Sequence, residues 1–437
     1  MRIGIDCRTI LSPGAGEAAG VGHYTHFLVK NLIDLGQDHV FVLFFDKRFR
    51  GVNEFKNYKN VEIRFFPFYQ YKKYLPLAYS QMLISAFLSR ERLDVFHSPA
   101  NTTPLLYKRP SVVTVHDLAI YKYPRFFPST FLNRQTFATK VLVPSSLTRA
   151  EKIIAISKNT KRDIIEEFGI EENKIEVVYN GVTIDSKDCP GDGEFKNLKK
   201  KYGLTDNYVL FVGTIEPRKN LINLVKAFRN LKLVYDSPIK DCQLIIAGAS
   251  GWSNEGIFEA IADANASIIG QKKRRSGKER RSGFDIRSEA KKGKQGERRH
   301  DFDRRFGQPI KHLGYISYCE KILILKHATC FVFPSLYEGF GLPILEAMSL
   351  GVPVITSNVS SLPEVAGEDN ALLVNPNKES EIADALQQIF TDSGLRESLA
   401  VNGQERAKEF NWKKCAEETL AVYEAVAAKA NKSNSVS

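Results

Sequence analysis

The sequence predicts an α/β protein built from two doubly wound parallel sheets, one after the other along the chain. Three observations carry this. The 437 residues exceed what a single small core holds, and two domains of roughly 150–200 residues each are expected. The apolar runs are short and continuous rather than alternating, as strands covered on both faces of a parallel sheet require. Stretches with apolar residues near helical spacing lie between them, and a polar, Gly/Pro-bearing segment at 186–207 splits the series in two.

The first series occupies residues 1–185. It opens in the strand-like run MRIGIDCRTI and continues through VFVLFF (40–45), DVFHSP (94–99), SVVTVHD (111–117), KIIAIS (152–157) and IEVVYN (175–180). The helices VGHYTHFLVKNLIDLG and SKNTKRDIIEEFG fall between strands and end in Gly, the usual helix stop. The second series, within 208–408, reads YVLFVGT (208–214), QLIIAGA (243–249), IKHLGY (310–315), TCFVFPS (329–335), VPVITS (352–357) and ALLVN (371–375). In such sheets a ligand is expected at the carboxyl ends of the strands. The loop SPGAGEAAGVG (12–22) only loosely matches the dinucleotide fingerprint, because three residues separate Gly16 from Gly20.

Charge and composition exclude several classes. The chain shows no leader-like apolar stretch at its start and no run long enough to span a membrane. The six cysteines (7, 189, 242, 319, 330 and 415) form no C-x-x-C pair, so buried, reduced thiols are expected rather than a zinc site or a disulfide framework. The net charge of +12 suggests a nucleic-acid partner until it is localised. Residues 271–306 hold fifteen Lys/Arg against six Asp/Glu, nine of the twelve net charges. That segment has almost no branched aliphatics and repeats ERRSGFD (279–285) as ERRHDFD (297–303). Such composition cannot offset ordering entropy, so a disordered basic insertion in the second domain is expected. It would attract polyanions in a salt-dependent way, but it lacks the aromatic interleaving of a base-stacking surface.

The chemistry concentrates in SLYEGFGLPILEAMSLGVPVI (335–355). Glu338 and Glu346 flank a turn punctuated by Gly339, Gly341 and Pro343, after the apolar strand CFVFP. Strand, glycine turn and helix start aim backbone N–H groups and a helix dipole at an anionic ligand. The carboxylates can accept hydrogen bonds from the hydroxyls of a sugar or ribose. VGTIEPRKN (212–220) likewise ends a strand and opens a helix, with Arg218 and Lys219 placed to neutralise a diphosphate. Taken alone, that run reads as well as a solvated basic helix start. His116 ends the run SVVTVH, where it is either a capping or core histidine or a ligand-facing one.

Taken in order, GVGHYTHFL, SVVTVHDLAIYKYP, IAISKNTKRDI, VVYNGV, FVGTIEPRKN, LIIAG, HLGYIS, the 335–355 run and the late FNW resemble the family-4 retaining glycosyltransferases. The similarity is greatest to bacterial mannosyltransferases of surface-polysaccharide assembly. The resemblance implies a GT-B fold: an acceptor-binding domain (1–185), a linker (186–207), a donor-binding domain (208–408), and a helix in 409–437 crossing back to the first domain. It implies a nucleoside-diphosphate sugar donor and neither cofactor nor metal. It makes His116 and Glu338 catalytic. It assigns donor binding to Gly22, Arg218, Lys219, Tyr315, Ile316, Phe340, Gly341, Leu342 and Glu346. Of these residues the resemblance implies that Glu338 would meet the donor-sugar hydroxyls, Glu346 the ribose, and Tyr315 and Ile316 the base, with packing the other reading of Tyr315. Thr214 stands where many members carry Arg, and Cys319 where they tend to carry an acid. The DFD run (301–303) resembles a metal-binding D-x-D and is read as chance. The aromatic, Lys-bearing stretches 65–79 and 121–131 suit either a lipid interface or a core with solvated lysines. The function expected is transfer of a hexose, mannose first among them, to a saccharide or lipid-linked acceptor, in the cytoplasm or on the inner membrane face. Two rivals are a catalytically silent nucleotide-sugar-binding scaffold subunit and a polyanion- or membrane-binding protein acting through 271–306.

Overall fold

Among the described residues of the computed structural model, thirteen strands form two all-parallel sheets. Described are residues 1–10, 20–46, 51, 53–66, 77–184, 189, 191–275 and 307–436. The chain divides into two units. One comprises 1–183, 338–340 and 409–437, and the other 184–337 and 341–408.

The first unit contains β1 (Arg2–Asp6), β2 (Val40–Phe45), β3 (Val61–Phe65), β4 (Val95–Ser98), β5 (Ser111–Val115), β6 (Lys152–Ala155) and β7 (Ile175–Val177). Their order is β3-β2-β1-β4-β5-β6-β7, so the direction of winding reverses between β1 and β4. Ile3 pairs with both Phe41 and Val95, and every side chain of β5 is buried, as two-sided coverage demands. Strand β3 is absent from the sequence reading. It is the sheet's edge and only partly buried, so its polar residues Glu62 and Arg64 hide the apolar signal. The helix Trp412–Val436 packs on the helix Val21–Leu35, and Tyr423 carries it into the core, where its hydroxyl meets His97 Nδ1 at 2.5 Å.

The second unit contains β8 (Tyr208–Val212), β9 (Gln243–Ala247), β10 (Ile310–Gly314), β11 (Cys330–Phe333), β12 (Val354–Ser357) and β13 (Leu372–Val374). Their order is β10-β9-β8-β11-β12-β13, with the reversal between β8 and β11. Two expectations are corrected here. The basic insertion does not begin at 271, because the helix Glu255–Arg275 continues through it. Ile257, Ile261, Ala264 and Ile268 supply a buried face at helical spacing, and the Gln271 amide donates to the Leu233 carbonyl. The remainder, 276–306, lies outside the described residues, as do the DFD run and the loop 11–19. The cysteines are not all reduced, since Cys189 and Cys319 form a disulfide across 130 residues of sequence. The other four are buried thiols. No C-x-x-C spacing announces this pair; folding alone brings the two Cα atoms to 5.2 Å. Among the described residues, no helix is long and apolar enough to cross a membrane.

Candidate functional site

In the first unit, His116 follows β5 directly and is held on three sides. Its backbone N–H donates to Asn101 Oδ1 at 3.2 Å, its ring Nε2 lies 2.8 Å from the Pro99 carbonyl, and the Tyr24 ring meets it edge-on at 4.8 Å. A carbonyl only accepts, so Nε2 carries the proton. Burial lowers the His116 pKa below the ordinary histidine value, more than the Pro99 contact and Asp117 raise it. The ring is therefore neutral near pH 7, and Nδ1 is left as an acceptor for a ligand hydroxyl. Capping belongs to the neighbouring residue: Asp117 Oδ1 accepts from the Ala119 N–H at the start of the helix Ala119–Lys122.

The tripeptide Glu338–Phe340 clusters with this unit. Gly339 lies so close to His116 that a Cβ would stand 1.8 Å from the His116 carbonyl oxygen, so no larger residue fits. The Ser157 and Thr160 hydroxyls donate to the Gly339 carbonyl at 2.8 and 3.2 Å. Ser157 at the same time caps the helix Lys158–Phe168 by accepting from the Thr160 N–H. The Phe340 ring is buried against Tyr179 and Phe410, so the ring itself is turned into the core. Glu338 beside it is 9% exposed. Gly22, the second residue of the helix Val21–Leu35, is buried.

In the second unit, the loops after β8 and β11 leave the sheet on either side of its reversal point. Pro217–Lys219 is a tight 3₁₀ turn, and Asn220 closes it in the left-handed region at φ 59°. Its amide holds the carbonyls of Pro334 at 3.1 Å and Pro376 at 2.6 Å. The sequence reading missed Asn220; a polar residue tolerant of that conformation, just before the run LINLV, was the available signal. Lys219 is 8% exposed, with Nζ 4.9 Å from the centre of the Phe333 ring. Arg218 is engaged differently. Nε and Nη2 bond Glu216 Oε1 at 3.1 and 2.7 Å, and Nη1 donates to the Tyr337 carbonyl at 3.1 Å. The buried Glu216 offsets part of the guanidinium charge of Arg218.

Gly341 starts the helix Leu342–Ser349 at φ 114°, and a Cβ there would meet Leu362 at 2.9 Å. Pro343 in the first turn gives up an N–H that a helix start leaves unpaired in any case. Glu346, one turn further on, pairs with Lys321 at 2.6 Å. Tyr315 is 68% exposed, which rules out the packing reading, whereas Ile316 is buried. Gly341, Leu342 and Glu346 thus share one helix, Arg218 and Lys219 share one turn, and Tyr315 and Ile316 precede the helix that carries Lys321.

Two family models cover most of the chain: the glycosyl transferases group 1 over residues 194–406 and Glycosyltransferase Family 4 over 18–186. O-antigen chain mannosyltransferase B of Escherichia coli is 30% identical over 331 residues, 75% of this chain and 74% of that protein. The chain therefore belongs to the group-1, family-4 glycosyltransferases, and its two sheets are those of the GT-B fold. O-antigen chain mannosyltransferase RfbU of Salmonella typhimurium is 25% identical, over 66% of this chain and 63% of that protein. The solved structure of Anabaena Alr3699/HepE in complex with UDP and glucose superposes with a TM-score of 0.64 at 17% identity, covering 97% of this chain and all of that one.

Proposed function

We propose that this glycosyltransferase is a retaining mannosyltransferase. It takes mannose from GDP-mannose and passes it to a saccharide or lipid-linked acceptor in surface-polysaccharide synthesis. The carrying observation is the pair of loops at the reversal point of the second sheet. There Lys219, the glycine-started helix Leu342–Ser349 and Glu346 flank the place where open α/β sheets bind ligands. Lys219 and Arg218 take the diphosphate, whose charge grows as the bond to the sugar breaks. Glu346 takes the ribose, Glu338 the sugar hydroxyls, and neutral His116 accepts from one of those hydroxyls through Nδ1. The acceptor hydroxyl attacks on the face that the diphosphate vacates, and the diphosphate takes the proton. The two mannosyltransferase relatives support the choice of sugar, and the UDP bound to the HepE structure supports a nucleoside-diphosphate donor.

The test is release of nucleoside diphosphate from a panel of GDP-mannose, UDP-glucose, UDP-galactose and UDP-N-acetylglucosamine, with NMR of the product anomer. Turnover confined to GDP-mannose with an α product is expected. An inverted product or another donor overturns the corresponding part of the reading, and binding without turnover favours the scaffold. We expect turnover to persist in excess EDTA, because basic side chains do the neutralising that a metal does elsewhere. Loss with chelator and recovery with Mg²⁺ or Mn²⁺ overturns metal independence.

A further inference from the structure

The ion pair between Lys321 and Glu346 has no part in the sequence reading, and its surroundings are built with care. Lys321 Nζ lies 2.6 Å from Glu346 Oε1, with the two side chains only 19% and 14% exposed. The same ammonium stands 5.1 Å from the centre of the Tyr318 ring, one helical turn back. A lysine fixed by both a carboxylate and an aromatic face has few rotamers left. The helix beneath it, Tyr318–Lys326, is fixed as well. Ser317 and Glu320 form a reciprocal capping box at its start. Lys201 Nζ and the Tyr202 hydroxyl reach Glu320 at 2.6 and 2.9 Å, and Cys319 is bonded to Cys189. Partial burial works against the charged form of Glu320, but these donors and the Ser317 N–H overcome it and draw its pKa down to about 2.

A carboxylate that recognises a ribose must be ionised and must present a free oxygen to two neighbouring hydroxyls. Glu346 alone, half-buried on its helix, would hold a charge without a counter-charge and a side chain free to turn away. Lys321 removes both defects by taking Oε1. We propose that Lys321 is a positioning residue for the nucleotide ribose: it pins Glu346 by one oxygen so that Oε2 accepts the vicinal ribose hydroxyls. This rests on the donor-site reading given above. Lys321 acts through Glu346 and has no role in the chemical step. Its loss raises KM for the donor and leaves kcat nearly unchanged.

The experiment is calorimetric binding of GDP, UDP and ADP, followed by the best of these against its 2′-deoxy counterpart. The proteins are wild type, Lys321→Met, Lys321→Arg and Glu346→Gln, each checked by thermal melting. Wild type is expected to prefer the ribonucleotide by about tenfold or more. K321M and E346Q are each expected to bring that preference within about threefold, the K321M/E346Q double variant, made alongside them, no further, and K321R to restore part of it. Equal weakening of both nucleotides in K321M means a merely structural ion pair and overturns the proposal, as does an unchanged preference. If wild type binds no nucleoside diphosphate at all, the donor-site reading itself falls. That result is distinct from tight binding that K321M leaves untouched.

Discussion

Glu338 and Lys219 are the side chains on which turnover should depend most. Both are almost fully buried, at 9% and 8% exposure, and a charged group in a dry site interacts far more strongly than one in water. Glu338→Gln and Lys219→Ala are each expected to cost about 2–4 kcal/mol of transition-state stabilisation, a loss of 30- to 1,000-fold in kcat/KM. Melting temperatures should change little. Near-normal kinetics in both variants would remove them from the site. His97 gives a second residue-scale expectation, this time for stability. It is fully buried, between the Tyr423 hydroxyl on Nδ1 and the Thr114 hydroxyl at 2.8 Å on Nε2. Burial, with the nearby His116 adding to it, lowers its pKa from 6.5 to about 3. Between these values the unfolded chain binds a proton that the folded chain refuses. Stability is therefore full above pH 6.5 and falls as the pH drops towards 3, by on the order of 4–5 kcal/mol from this group. Urea titrations from pH 7 to 4 should show a slope that His97→Gln flattens; an unchanged slope refutes the assignment.

Among the elements, the disulfide and the basic segment each lend themselves to measurement. Cys189 and Cys319 enclose 130 residues of sequence, and loop entropy alone sets a stabilisation of at most about 5 kcal/mol. In denaturant without reductant, four thiols should titrate, rising to six once the disulfide is reduced. Cys189→Ser should lower the midpoint of unfolding by the equivalent of about 2–4 kcal/mol. Six thiols without reductant would contradict the pairing. For the basic segment, what matters is how its flanks are held. Asn265 and Ile310 exchange two hydrogen bonds of 2.9 Å, which lock the helix Glu255–Arg275 to β10 without help from the residues between. Arg275 stands ten residues past that lock, about 15 Å along the helix, so joining it directly to Gly307 would pull the helix apart. Replacing 276–306 by about eight Gly/Ser residues should leave thermal stability and nucleotide binding nearly unchanged, since loop cost grows only with the logarithm of length. Unfolding of that variant would show that the segment is part of the domain.

At the scale of the whole molecule, the order of apolar runs was enough to read two parallel sheets, because a strand buried on both faces has a periodicity that its neighbours do not alter. Eleven of the thirteen strands stand out in this way and the opening run supplies another; β3, half-exposed at an edge, does not. The glycine turn at 339–341 was legible for a different reason, local backbone sterics: Gly339 and Gly341 are demanded by a close approach and a positive φ that other residues cannot meet. What the sequence left open depends on pairs far apart in the chain. Arg218 reads as a free cation until Glu216 and the Tyr337 carbonyl are seen to hold it. Cys189 reads as a lone thiol until Cys319 is beside it, and Glu346 as a bare carboxylate until Lys321 reaches it. The sequence by itself determined most of the elements and the fold class they build, because local periodicity and backbone sterics are properties of neighbouring residues. Only the tertiary structure decided which charges are paired, which histidine nitrogen is protonated and which thiols are joined, because those depend on partners that only the folded chain brings together.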